Sequence, residues 1–360
     1  MKKLALLFPL GAIMAAAVWA FAAGDAGDPL ASLSYLRNDF TQTVERKVDA
    51  ALDVSDAELG TRLGNETTAD LAAVWQEIRL KEGDALQGIT GTNVLILAGN
   101  VRVTYSSGAV VDVTTGSVVP SSTVLAANHR YITAEDTAAA FAVTSKTAVL
   151  DYQGQYGFTY SDRPDYNAMA TALKALNLFK GTFTGYGDGF DLEAAPTRLQ
   201  ALIMFIRVLG EEKQALTWSG TTPFKDIQPG SQAEKYVGYA YEKGYTNGYT
   251  TTSFKPAGAV NAYQYTEFVL RAMGYSSAKN TDLSTTLARA VIAGVLTDQE
   301  AASLQKETFL RAQLVYISYY ALAAQLPEDD WTLADELIDL GVFTSQEWRQ
   351  ASGLVTTSRL

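Results

Sequence analysis

The spacing of apolar residues divides this chain into three stretches. Between Leu30 and Leu52, the residues Leu33, Leu36, Phe40, Val44, Val48 and Leu52 recur every three or four positions, the period of one helix face. That stripe drifts around the helix, so it suits packing on the protein itself, on a partner helix, or in a short coiled coil. Leu71, Val74, Trp75 and Ile78 predict a second short helix after the break at 60–68. From Glu82 the period becomes strand-like, in Val94–Leu97, Val101–Tyr105, Val110–Val113, Phe141–Val143 and Ala148–Leu150. Gly-Asn at 99–100, Ser-Ser-Gly at 106–108, Thr-Thr-Gly at 114–116 and Pro-Ser-Ser at 120–122 separate several of these runs. Short strands with such turn residues between them predict a small antiparallel β sandwich or roll. From Tyr166 the helical period returns.

The third stretch repeats itself. Gly181 to Gly210 reads GTFTGYGDGFDLEAAPTRLQALIMFIRVLG, and Gly244 to Gly274 reads GYTNGYTTTSFKPAGAVNAYQYTEFVLRAMG. Both carry a Gly, then Gly-Tyr, a Phe, and a helix ending in Arg-x-x-Gly. A weaker copy opens at Gly294, and Gly294 to Arg311 has the same seventeen-residue spacing as Gly181 to Arg198. Units of this kind bury their apolar faces by stacking on one another. Thr197-x-x-Gln200 and Asn261-x-x-Gln264 predict capping boxes, and Gly210 and Gly274 stand where helix-ending glycines belong. The helix of the first copy is apolar all round, so its buried side is ambiguous until the copies are superposed. Ala201/Tyr265/Leu314, Met204/Phe268/Ile317 and Val208/Ala272/Ala321 are then apolar in every copy, which predicts the core face. Each unit reads as helix, Gly-rich loop, helix.

Phe224-Lys225-Asp226-Ile227, Tyr236-Val237-Gly238-Tyr239-Ala240, Gly248-Tyr249, Phe254-x-Pro256 and the capped helix after them resemble the S-layer homology domain of bacterial cell-surface proteins. Gly185-Tyr186-Gly187-Asp188-Gly189-Phe190 and Pro196-Thr197-Arg198 are similar to two further elements of that family. The segment from Gly91-Thr92 to His129-Arg130-Tyr131-Ile132 is similar to the β module that precedes such repeats in secreted clostridial proteins. The resemblance implies a three-lobed helical bundle whose grooves hold a secondary cell-wall polysaccharide, often a pyruvylated one.

Such an anionic glycan needs a planar charged donor, helix-start amides and a tyrosine face. Carried over by position, the donors are Arg198 and Arg311 and the aromatic faces are Tyr186 and Tyr249. Gly185 and Gly248 are the loop glycines, with Asp188 and Asp226 as polar neighbours. The alternative is that these arginines and tyrosines only brace loops against neighbouring units. Gln200, Gln264 and Gln313 replace a glutamate that the family usually has, which leaves capping intact. Ala262 stands where the arginine of the second copy belongs, so the groove of that copy is expected to be impaired. The third copy lacks both Gly-Tyr and a capping threonine.

Composition narrows the remaining chemistry. Residues 1–23 have two lysines, an apolar run and small residues at Ala20, Ala22 and Ala23, which predicts a secretory signal peptide, with an uncleaved membrane anchor as the other reading. Removing Lys2 and Lys3 takes the formal charge from -11 to -13, since 26 basic residues then face 39 acidic ones. That acidity argues against nucleic acid as a partner. No cysteine is present, so disulfides and thiolate sites are excluded. The one histidine, His129, has no ligand-spaced partner and reads as structural. The acids of the 185–189 loop lack calcium-loop spacing, and no nucleophile or phosphate-loop motif occurs. No metal and no cofactor is expected.

The expected fold class is α+β: signal peptide 1–23, N-terminal helical segment 24–81, β domain 82–160, three repeats over 161–326 (161–215, 216–279 and 280–326), and a capping half-repeat over 327–360. That half-repeat echoes the third copy as a helix and turn without a second helix. The expected function is non-enzymatic: an exported cell-envelope protein anchored non-covalently to wall polysaccharide, with self-association open through the N-terminal helix. The alternative is an extracellular assembly protein whose repeats pack protein against protein.

Overall fold

Two antiparallel sheets lead into a set of helices, giving a mixed α and β chain. The computed structural model describes residues 74–360 except 185–186, 278–281 and 328–329. The signal-peptide reading, the Leu33–Leu52 stripe with its self-association, Gly185 and Tyr186 therefore lie outside the described residues.

The strands are β1 (Gln76–Lys81), β2 (Ala85–Gly88), β3 (Asn93–Ala98), β4 (Val101–Tyr105), β5 (Ala109–Asp112), β6 (Ser117–Val119), β7 (Arg130–Ala134), β8 (Ala139–Val143), β9 (Thr147–Gln153) and β10 (Tyr156–Thr159). One sheet runs β1-β9-β3-β7-β5-β6 and the other β10-β2-β8-β4. Alternation decides which side chains go inward. In β4, Val101 and Val103 are buried while Arg102 and Thr104 face out. Leu80, Val94, Ile96, Val110 and Leu150 from one sheet join Leu86, Val103 and Phe141 from the other in a single apolar core.

The helix expected over Leu71–Ile78 is corrected at its described end, because Gln76–Lys81 is a strand. All six residues pair with β9, from Gln76↔Tyr152 to Lys81↔Thr147, and Leu80 is buried. Ile78 and Leu80 alternate, and β9 offers a complete ladder to pair with, which local helical spacing cannot reveal. The strand region thus opens at Gln76, ahead of residue 82. At its other end Lys81 and Asp84 form a buried ion pair at 2.7 Å, and Asp84 also accepts from the amide of Ser161 at 2.8 Å. That contact ties the sheet to the start of the helical region.

The helices are α1 (Tyr166–Ala175), α2 (Arg198–Val208), α3 (Glu212–Thr217), α4 (Gln232–Glu242), α5 (Ala262–Ala272), α6 (Thr286–Ile292), α7 (Asp298–Leu304), α8 (Arg311–Ala323), α9 (Leu333–Asp339) and α10 (Ser345–Ser352). A short hairpin, β11 (Thr182–Phe183) and β12 (Asp188–Gly189), precedes α2. Helices α2, α5 and α8 pack on one another, with α4 against α2, α6 against α5 and α1 against α8. The superposed face is the one they bury: Ala201, Tyr265, Leu314, Met204, Phe268, Ile317, Val208 and Ala321 are in the core, and Ala272 is half-buried beside it.

Three local expectations need correction. In the third copy the loop contains a helix, α7, capped reciprocally by Thr297 and Glu300. The 327–360 segment does have a second helix, α10, with the same box from Thr344 and Glu347. Both follow from Thr-x-x-Glu, which supplies a capped helix start without a Gly-Tyr loop before it. At α5 only half of the predicted box forms. Asn261 accepts from the Gln264 amide at 3.0 Å, but the Gln264 Oε1 is buried without a hydrogen-bond partner. In contrast, Gln200 and Gln313 each turn back to the amide three residues earlier, at 2.9 and 2.8 Å.

Candidate functional site

The starts of α2 and α8 are stitched to loops from other copies. The Arg198 amide donates to the Gly258 carbonyl at 2.8 Å and Leu199 to Pro256 at 3.1 Å. The Arg311 amide donates to Ala194 at 2.9 Å and Ala312 to Leu192 at 3.0 Å. These helix-start amides are thus committed to backbone partners, and a ligand must be held by side chains. The same stitching carries Arg198 onto the loop of the second copy and Arg311 onto the first.

Groove one, of about 420 Å³, lies where Arg198 meets the 246–251 loop and the outer face of α5. The Arg198 guanidinium sits over the rings of Phe254 and Phe268, 5.0 and 5.5 Å from their centres. One terminal nitrogen donates to the Gly248 carbonyl at 3.2 Å and to the Thr246 hydroxyl at 3.5 Å. Its Nε is buried with no partner, and among the described residues no carboxylate forms an ion pair with it. Burial, then the nearby Arg271, pull the Arg198 pKa down to about 10, against an opposing pull from Tyr249. The group stays charged at neutral pH, so the groove holds a guanidinium that no carboxylate among the described residues pairs with.

Gly248 shapes this groove. Its φ is +81°, and a Cβ there would fall 2.3 Å from Phe224 Cε1. Tyr249 is exposed, with the Lys255 ammonium 3.5 Å from its ring centre on one face. Opposite, on α5, Arg271 pairs with Glu267 at 3.1 Å, and Arg289 reaches the same carboxylate at 2.6 Å. Burial pushes the Glu267 pKa up, but bonds from Ser276, Arg289 and Thr286 outweigh it and hold the carboxyl ionised. The unpaired Gln264 Oε1 completes the lining as an acceptor.

Asp226 does not line this groove. Its carboxylate accepts from the Phe254 and Lys255 amides at 2.8 and 2.7 Å and from the Ser253 hydroxyl at 2.8 Å. It braces the loop from behind the groove.

Groove two, of about 320 Å³, is the corresponding place between Arg311, the 180–182 segment and the outer face of α2. Here the charges are largely matched. Arg311 donates to the Phe190 carbonyl at 3.2 Å and stands 4.0 Å from Asp191. Arg207 pairs with Glu212 at 2.8 Å, and Lys180 pairs with the same carboxylate. Gly185, Tyr186 and the side chain of Asp188 lie outside the described residues, so those three expectations have no placement.

Ala262 lines neither groove. The arginine over the second copy's loop is Arg198, from the first copy's helix, and the arginine over the first copy's loop is Arg311, from the third. Sequence reasoning passed over Arg271 and the inward turn of Gln264. Arg271 has a sequence signal, since Arg207 and Arg271 recur in Arg-x-x-Gly, but the same pattern reads as helix-end punctuation. In the β region, His129 Nδ1 lies 2.7 Å from Asp112 and the ring stacks near Tyr131. Among the described residues there is no cluster of three metal-binding side chains, and no helix is long and apolar enough to cross a membrane.

Residues 223–261 match the family model of the S-layer homology domain, so the chain carries such a domain. The match takes in Asp226, Gly248, Tyr249 and the loop that forms one wall of groove one. A cell surface protein of Thermoanaerobacter kivui is 29% identical over 138 residues, 38% of this chain. The matched part spans 18% of that protein's length.

Proposed function

We propose, from the S-layer homology domain that the chain carries, that this is a non-enzymatic, exported cell-surface protein held by binding an anionic secondary cell-wall polysaccharide. The reading takes 161–326 as three repeats around α2, α5 and α8, with groove one as the principal binding place. One observation carries it: the buried Arg198 guanidinium has an unpaired Nε and, among the described residues, no carboxylate ion pair, and it faces a groove. A carboxylate on a sugar ring, such as a pyruvate ketal, supplies the missing acceptor.

The remaining roles follow from chemistry. Arg198 binds the anion, with Arg271 raising the local potential although its own charge is shared with Glu267. Gln264 Oε1 accepts from a sugar hydroxyl, and the face of Tyr249 not covered by Lys255 stacks on the ring. Gly248 lets the loop backbone approach closely. Asp226 and the Gly258 and Pro256 carbonyls hold the two walls together without touching the ligand.

The test is retention of the purified chain on cell-wall sacculi, with and without prior extraction of the polymer. Binding that disappears on extraction and in Arg198→Ala, with unchanged circular dichroism, supports the reading. Binding that survives both would overturn it in favour of protein-on-protein assembly.

A further inference from the structure

The third place in the helical set, beside α8, has a buried carboxylate where grooves one and two have their arginines. Counting along the three central helices, Gln200, Gln264 and Gln313 are equivalent, and so are Arg207, Arg271 and Tyr320 seven residues on. Ala262 stands where Arg198 and Arg311 stand in the other two. Both cations that mark an anion groove are therefore missing here. In their place is a carboxylate: Glu300, on α7, whose side chain is 1% exposed.

A guanidinium already fills this place. Arg359 meets Glu300 with two parallel bonds, Nε to Oε1 at 2.9 Å and a terminal nitrogen to Oε2 at 2.6 Å. The same terminal nitrogen donates to the Val295 carbonyl at 3.1 Å, and the guanidinium lies 3.8 Å from the ring centre of Tyr320. Tyr316 donates its hydroxyl to Glu300 from the other side. The segment that delivers Arg359 is pinned on the way, because Thr357 accepts from the Asp165 amide at 3.0 Å. Only about 10 Å³ of cavity remains beside it.

We infer that this third place is a guanidinium-binding site, and that its resident ligand is Arg359 of the same chain. The fork matches a carboxylate in two bonds, and the tyrosine face favours a flat, weakly hydrated cation over an ammonium. A carboxylate this buried needs its counter-ion, so the segment around Arg359 is bound as a ligand and not merely laid on the surface. One consequence rests on the function proposed above: grooves one and two, but not the third place, face outward for polysaccharide. The guanidinium site itself does not depend on that reading.

The test uses the full chain with Arg359→Ala and a labelled peptide of residues 352–360. The unaltered chain should not take up the peptide, because its own arginine holds the site. The Arg359→Ala chain should bind it, and a peptide with alanine in place of the arginine should fail. Adding Glu300→Gln should weaken the binding by about ten-fold or more. As a second measurement, ethylguanidine at about 10 mM should raise the melting temperature of Arg359→Ala by about 2 °C and leave Arg359→Ala/Glu300→Gln unmoved. Should Arg359→Ala fail to fold, Arg359→Gln gives Glu300 one hydrogen-bond donor but no charge, and the same rescue is expected of it. Peptide binding indifferent to Glu300→Gln, or no guanidine rescue in either variant, would overturn the inference. Retention on sacculi is a separate readout, so a failed glycan reading would leave this result standing.

Discussion

Grooves one and two are built to one plan, yet their arginines live under different electrostatic conditions. Arg198 has aromatic rings, one carbonyl and one hydroxyl around it and, among the described residues, no ion-paired carboxylate. Arg311, at the same helical position, has Asp191 at 4.0 Å, and the groove's other cations are matched by Glu212. Arg198 is buried and Arg311 half-buried, and burial lowers the pKa of each. What separates them is compensation. An anion entering groove one meets a charge that is waiting for it, whereas in groove two it must compete with the protein's own carboxylates. Matching a motif therefore identifies a position, and the neighbours of that position decide whether it binds.

The comparison can be broken most directly by Arg198→Ala, which should weaken polymer binding by about 30-fold. Arg311→Ala should cost only about three-fold, because its charge is already partly spent. Equal losses, measured by sacculus binding isotherms, would show that compensation does not matter. Next in size is Gly248→Ala. The new Cβ would collide with Phe224 and the φ of +81° is strained, so a loss of about 2 kcal/mol in stability is expected. Gly294→Ala is the control: φ is +74° but nothing lies within 4 Å, and denaturant melts should show about 1 kcal/mol.

Asp191→Asn sharpens the comparison in the other direction. In an Arg198→Ala background it should raise binding in groove two by about three-fold, because Arg311 loses its counter-ion. No gain there would mean that the Phe190 carbonyl, not Asp191, holds the guanidinium down.

The smallest effect is on pH. Burial raises the Asp191 pKa above 3.8, against the pull of Arg311, so the folded state favours its neutral form. As pH falls through that raised value, Asp191 takes up a proton and Arg311 is released for an anion. Asp226 behaves oppositely. Its pKa is lowered: burial raises it, but the Phe254, Lys255 and Ser253 bonds outweigh burial. The stability it adds is thus present above 3.8 and lost only as pH falls through the lower folded value. Groove two should gain on groove one at mildly acidic pH, and Asp226→Asn should flatten the acid limb of the stability curve. An acid limb unchanged by that substitution would count against the bracing role.

Some elements were legible because their signal is local. Thr197 and Gln200 sit three residues apart and cap α2 as expected, and Ala201, Met204 and Val208 superpose on their counterparts because the helical period is carried within one segment. Other elements depended on a distant partner. Strand β1 needed β9, about seventy residues away, to override the apparent helical spacing around Ile78. Helices α7 and α10 have a local start signal in Thr-x-x-Glu, although neither follows the Gly-Tyr loop that marks the first two copies.

From its order of residues alone, then, this protein reveals its repeats, its helix starts and core face, and which arginines and glycines hold special positions. Those properties depend on neighbours within a few bonds, where spacing is geometry. Which arginine overhangs which loop, that Asp191 neutralises one of them, and that Arg359 reaches back to a buried glutamate are decided only when separate segments close on each other. Charge compensation acts through space across a few ångströms, and distance in the chain says nothing about it.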